Sequence, residues 1–423
     1  MPRVSDAADR STSHRYARLV RAKAVSFRDG CSGVIRMTSR SVVNDENTAL
    51  TGLDLAPADA QRIFEIVATG FTSSLHVETD IFERRFSLAG QSVRLCFVGK
   101  LLANTMAPAF AHFPECEELS DGGLTASLWD KSASGSMSAS AGAIDDFLPR
   151  RDLTAVSTDG RWVIYRRSGS VTCLDRSLAR AVGYVDSADH LALVDRGRPL
   201  YAPLLLWLRD RGIAPVHAGL VVRNRRGILI AGESGSGKTT TVLNCLLAGF
   251  DFVSDDYVGL QARAQGGYDG HGLHGSVHVH PEHLRRFPVL LQHGIAGRRV
   301  EEDKVLIPLS QVFPQRLRPS HGIDLLVLPR VTGADRARLI PATKSQALFR
   351  LAPSSLWMVR HAKGEGLPAL AALVERVPCY WLELGLDMGT IAPLLHDLTR
   401  AAYAPAPPLL SPSSSPPNPF AER

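Results

Sequence analysis

One run in the chain combines residue types that can hold phosphate: Gly232-Glu233-Ser234-Gly235-Ser236-Gly237-Lys238-Thr239, a full fit to G-x-x-x-x-G-K-[ST]. Glycines let successive backbone N–H groups turn inward on phosphate oxygens. A helix beginning at the last residues adds its positive end. Lys238 then neutralises the β and γ phosphates, and the Thr239 hydroxyl joins the shell of a Mg²⁺ ion. With only seven lysines in 423 residues, a chance match arises in roughly 0.01 of such chains. The flanks agree with the motif. Gly227–Ala231 is an apolar run of strand character, and Thr240–Ala248 reads as the helix. Residues Gly232 through Thr240 are therefore the candidate binding residues for ATP.

Two flanking motifs add chemistry to binding. His217, in Val-His-Ala-Gly, opens an apolar strand at Ala218–Val222 just before the phosphate-loop strand. Asp255 and Asp256 end a second apolar stretch, Phe252-Val-Ser-Asp-Asp-Tyr257, just after the helix. Acids at strand ends near a phosphate loop reach the metal and the attacking group, and a carboxylate there can accept the proton of a substrate hydroxyl. Asp255 is the candidate to join Thr239 at the metal, and Asp256 the candidate base.

These three motifs resemble the bacterial HPr kinase/phosphorylase family and its diverged relatives. His217 lies 21 residues before Lys238 and Asp256 lies 18 after it, intervals that match the family without a gap. The match covers roughly residues 200–330. The resemblance implies that His217 is an active-site residue, that Lys238 holds phosphate and that Asp256 deprotonates an acceptor serine. It also implies a kinase fold akin to that of phosphoenolpyruvate carboxykinases, and relatives that assemble as homo-oligomers. Thr239 stands where the family usually has Ser. The family's glycine-rich segment with a metal-binding Glu is not found downstream; Glu282, in His280-Pro-Glu-His, is the candidate at that distance. Arg298 and Arg299 are the candidates for an arginine that assists dephosphorylation. Relatives with similar motifs act on serine in peptide natural products or on free serine, so the acceptor expected here is a hydroxyl of a protein, peptide or small molecule.

Positioning these residues requires α/β architecture. The expected fold is a phosphate-loop kinase domain at residues 199–403, preceded by a small strand-rich domain at 46–198. Strands are expected at Arg85–Ala89, Val93–Val98, Leu124–Trp129, Asp324–Leu328 and Val377–Leu384. A hairpin is expected from Trp162–Arg166 and Ser170–Leu174, and helices near residues 199–212 and Thr390–Thr399. Ser132–Gly142 reads as a flexible loop. Residues 1–45 and 404–423, rich in Arg/Ser and Pro/Ser, read as disordered.

Six histidines, His271, His274, His278, His280, His283 and His293, crowd one region. On a strand, His278 and His280 would share a face and could hold zinc with His274 or Glu282. Without a fixed metal spacing, lining of the acceptor side or plain surface is the stronger expectation. The six cysteines are scattered with no C-x-x-C pair, which fits reduced thiols.

Composition excludes several classes. An apolar content of 45% with 21% charged is globular, and no run of eighteen apolar residues suggests a membrane span. No secretory leader is evident, so a cytoplasmic location is the default. Residues 1–40 carry nine Lys/Arg and three Asp; their net +6 equals that of the whole chain. The basic pI thus describes the leader, read as an unstructured arm that could precede a true start at Met37. That argues against nucleic acid as the main partner. The leading expectation is an ATP- and Mg²⁺-dependent serine kinase. The alternative is a regulatory module that binds and slowly hydrolyses ATP with no phosphoacceptor.

Overall fold

In the computed structural model the described residues are 51–77, 80–133, 144–297, 303–357 and 366–401. They belong to one compact unit, Leu50–Arg423. The expected leader at 1–45, the tail at 404–423, Arg298, Arg299 and most of the Ser132–Gly142 loop lie outside them.

The architecture is mixed α/β, with several sheets. Eight strands build the first: β1 (Thr51–Leu55), β2 (Ile81–Leu88), β3 (Gln91–Val98), β4 (Leu124–Asp130), β5 (Leu153–Ser157), β6 (Trp162–Arg167), β7 (Ser170–Asp175) and β8 (Arg180–Val185). Their order is β1-β5-β6-β7-β8-β4-β3-β2. The expected β6–β7 hairpin forms around Arg167-Ser168-Gly169, in register from Trp162↔Asp175 to Arg167↔Ser170. The helix α1 (Pro57–Val77) covers this sheet with Ala60, Ile63, Phe64, Val67, Gly70 and Ser74, one face at three- and four-residue spacing. The helix α2 (Lys100–Met106) follows β3, and α3 (Leu193–Gly197) and α4 (Tyr201–Arg209) follow β8.

The second sheet carries the Gly232–Thr239 loop. Its strands are β9 (Ala214–Arg223), β10 (Arg226–Ala231), β11 (Asp251–Ser254), β12 (Tyr257–Ala262) and β13 (Tyr268–Gly272). Two short strands, β14 (Val277–Val279) and β15 (Ile295–Ala296), join β16 (Val305–Ile307) in a small separate sheet. Then come β17 (Ser320–Gly322), β18 (Leu325–Val331), β19 (Arg338–Pro341) and β20 (Cys379–Leu384). The large sheet runs β17-β13-β12-β9-β10-β18-β20-β19, with β11 also on β9. At its centre β10 pairs antiparallel to β9 and parallel to β18. Ile228, Leu229 and Ile230 are completely buried, which explains the continuous apolar run and contributes about 2 kcal/mol for each side chain.

The helix α5 (Lys238–Leu247) lies over β9 and buries Thr241, Val242, Leu243, Cys245 and Leu246. Gly219 makes this contact close: a Cβ there would stand 2.6 Å from Val242 Cγ2. The glycine after His217 is thus a packing requirement of the strand–helix layer. Further on lie α6 (Pro281–Leu284), α7 (Pro288–Leu291), α8 (Leu309–Val312), α9 (Lys344–Trp357), α10 (Gly366–Arg376) and α11 (Ile391–Ala401). The core does not stop at residue 198. One cluster joins Phe86, Phe110 and Leu124 to Leu204, Trp207, Ile213 and Leu273. Among the described residues, no helix is long and apolar enough to cross a membrane.

Candidate functional site

Where β10 ends, the chain enters the glycine loop and leaves it as α5. Gly235 and Gly237 take φ of 76° and 103°, the left-handed region. Gly237 precedes the first helical residue, and Thr241 returns both its backbone N–H and its hydroxyl to the Gly237 carbonyl, each at 2.9 Å. A Cβ on Gly237 would lie 2.2 Å from Leu384 Cδ1. Gly237→Ala is therefore expected to combine backbone strain with a clash and to cost about 2 kcal/mol or more of stability, read as a lower urea midpoint. An unchanged midpoint would show that the loop does not need this conformation.

Lys238 is buried, and its ammonium donates to the carbonyls of Gly232 at 2.8 Å and Glu233 at 3.2 Å. The cation is thereby folded across the loop it serves. Ser234 and Gly235 stand exposed at the rim, and Thr239 and Thr240 are half-buried on the first helical turn. Glu233 receives Arg350 Nη1 from α9 at 2.7 Å, an exposed pair of little energetic weight.

The β11–β12 turn brings the two acids to this loop. Ser254 Oγ donates to the Tyr257 carbonyl at 2.6 Å and closes the turn. The Asp256 carbonyl accepts the N–H of Ala218 at 3.0 Å, locking the turn to β9. Thr239 Oγ1 donates to Asp255 Oδ2 at 3.2 Å, while Asp255 Oδ1 is buried with no hydrogen-bond partner. Asp256 Oδ1 lies 2.7 Å from His217 Nε2, and Asp256 Oδ2 lies 2.8 Å from Arg198 Nη1. His217 comes from β9, where it faces Tyr257 across the ladder; its backbone N–H donates to Ser355 Oγ at 3.1 Å. Nδ1 of the same ring is buried without a partner.

Adjacent acids thus sit in opposite environments. Burial, together with the neighbouring Asp256 charge, pushes the Asp255 carboxyl up to about 7. Burial also acts on Asp256, but Arg198 and His217 outweigh it and hold that carboxyl well below its ordinary range. Two carboxyl groups pushed apart in this way are a common signature of divided acid–base roles.

The structure brings together His217, Lys238, Thr239, Asp255 and Asp256, and leaves Glu282 apart. Glu282 is exposed on α6, a one-turn helix that Pro281 starts, and no hydrogen bond or ion pair joins it to Thr239, Asp255 or Asp256. No group of three His, Cys, Asp or Glu side chains arranged to hold a metal forms among the described residues. The histidine run divides. His280 is the N-cap of α6 rather than a continuation of β14, so it does not share a strand face with His278; His280 and His283 are exposed. His271, His274 and His278 are buried, contrary to the expectation of surface, because they satisfy polar groups inside the fold. His271 bonds Gln261, His274 the Pro199 carbonyl and His278 the Leu193 carbonyl.

Burial lowers the His274 pKa to about 3. A histidine depressed from its ordinary 6.5 binds its proton only when unfolded, so its contribution is complete above pH 6.5 and is lost as pH falls toward 3. Asp255, with its raised pKa, works in the opposite direction between 7 and 4. A difference measurement isolates the histidine. Between pH 6.5 and 5 the wild type is expected to lose about 2 kcal/mol more stability than His274→Gln, by urea unfolding at each pH. Parallel curves would show that His274 is not held neutral.

Arg198, Ser355 and Tyr257 carry no motif that marks them for this site. Arg198 follows α3 and precedes Pro199 in the turn before α4; Ser355 arrives from 138 residues beyond His217.

No protein-family model matches the sequence, and no curated protein matches it. Among solved structures, the chain is similar to the Hpr(Ser) kinase/phosphatase from Coxiella burnetii, at 14% identity over 44% of this chain and 94% of that one, with a TM-score of 0.24. That score is too low to assign a fold, so the chemistry of the site rests on its own geometry.

Proposed function

We propose that the chain is a kinase that transfers the terminal phosphate of ATP to a serine-type hydroxyl of a protein, peptide or small molecule. The observation that carries this reading is the β11–β12 turn, which holds Asp255 on Thr239 and Asp256 on His217 beside the Gly232–Thr239 loop. A binder alone has no use for a second, ionised carboxylate held by an imidazole at the mouth of the loop.

The roles follow from the contacts. Backbone N–H groups of the loop and Lys238 bind the phosphates. Thr239 Oγ1 and the unpartnered Asp255 oxygen are hard oxygen donors and suit Mg²⁺, which when bound supplies charge neutralisation on the phosphates. Asp256 takes the acceptor's proton. The acceptor oxygen forms its bond to the terminal phosphorus as the bond to the bridging oxygen breaks, and the nucleoside diphosphate leaves. His217 orients Asp256 and is itself held by Ser355. The acceptor class follows the family resemblance of the three motifs.

The test uses the full chain with ATP labelled in the terminal phosphate, Mg²⁺ and cell extract. A labelled acceptor is expected. Inorganic phosphate as the sole labelled product would overturn the kinase in favour of a hydrolysing module.

A further inference from the structure

On that reading, Asp256 has to be kept inactive until substrate is in place. Both of its oxygens are taken: Oδ1 by His217 at 2.7 Å and Oδ2 by Arg198 at 2.8 Å. A carboxylate paired with a guanidinium is a poor proton acceptor. Arg198 is buried, with its guanidinium 5.4 Å above the Tyr257 ring.

The backbone that delivers Arg198 is braced. His274 Nε2 lies 2.9 Å from the Pro199 carbonyl, Ser276 Oγ donates to the Gly197 carbonyl at 2.5 Å, and His278 Nε2 lies 3.1 Å from the Leu193 carbonyl. Three side chains from one short segment thus fix the main chain on both sides of Arg198. Its guanidinium carries a charge that meets Asp256 Oδ2. That charge also acts on Asp255, the partner of Thr239, so it reaches the first turn of the phosphate-binding helix.

We propose that Arg198 senses the terminal phosphate: a nucleoside triphosphate in the Gly232–Thr239 loop draws the guanidinium from Asp256 Oδ2, and the released oxygen takes the acceptor's proton. A terminal phosphate carries more charge than a carboxylate and offers the guanidinium fork two oxygens. A diphosphate lacks that group, so Arg198 stays on Asp256 and the base stays blocked. The arrangement couples proton abstraction to the presence of a transferable phosphoryl group.

Calorimetric titration of the full chain with Mg²⁺ and either ADP or the non-hydrolysable β,γ-imido analogue of ATP tests this. The wild type is expected to bind the triphosphate analogue about tenfold more tightly than ADP. Arg198→Gln is expected to bring the ratio near one with ADP affinity unchanged, and Arg198→Lys to restore part of it. Asp256→Asn removes the competitor, so the triphosphate analogue is expected to bind severalfold more tightly while ADP does not; this variant answers even if Arg198→Gln fails to fold. A wild-type ratio near one, a ratio that survives in folded Arg198→Gln, or an unchanged triphosphate affinity in Asp256→Asn would overturn the inference and leave the loop reading intact. Failure of the wild type to bind either nucleotide would sink both.

Discussion

Asp256→Asn is expected to lower phosphoryl transfer by about 10²- to 10⁴-fold, the range for loss of a positioned general base, with ADP binding kept and the triphosphate bound more tightly. The amide is the same size, and its oxygen still faces Arg198 but lacks the charge that competes with a phosphate for the guanidinium. Its nitrogen then faces His217 Nε2 and must donate, so Nε2 has to be the ring's acceptor there. Some stability is lost with the buried ion pair, so transfer is measured per folded molecule, with a thermal melt as the control. Rate constants from single turnover with labelled ATP decide the matter. Transfer at the wild-type rate would show that Asp256 is not the base.

The parts of this site that the sequence announces are those whose physics is local. A glycine loop between an apolar strand and a helix is readable because its constraint, backbone turned inward at the helix start, is written in consecutive residues. His217 and Asp256 were legible through fixed intervals from Lys238, and the structure places them 2.7 Å apart. Gly219 could be noticed as part of that motif, yet its reason, the close approach of Val242, is visible only once α5 lies on β9.

Arg198 was out of reach for a different reason. Its partner is an acid 58 residues away, and nothing about Gly-Arg-Pro says which carboxylate a guanidinium will meet. The buried histidines fail in the same way. Their spacing suggested a strand face or a surface, but their positions are set by carbonyls of residues 193–199 that need donors, and no sequence pattern records an unsatisfied carbonyl. Glu282 shows the converse, a residue of the right type at a plausible distance that a one-turn helix leaves in solvent.

Lys238→Ala is expected to weaken ATP and ADP binding by at least about 100-fold, since a buried ammonium bonded to phosphate is worth about 3 kcal/mol or more in two charge-assisted contacts. The fold has little reason to fail. In the present geometry Nζ donates to the carbonyls of Gly232 and Glu233, and removing a buried cation offsets much of that loss. Lys238→Arg is not expected to rescue binding. The larger planar head has to fit where a compact ammonium is enclosed by the turn of its own loop. Fluorescence titration with a labelled nucleotide separates the cases. If Lys238→Ala binds nucleotide as the wild type does, the Gly232–Thr239 turn is not a phosphate cradle, and the paired carboxylates beside it have no phosphoryl group to act on.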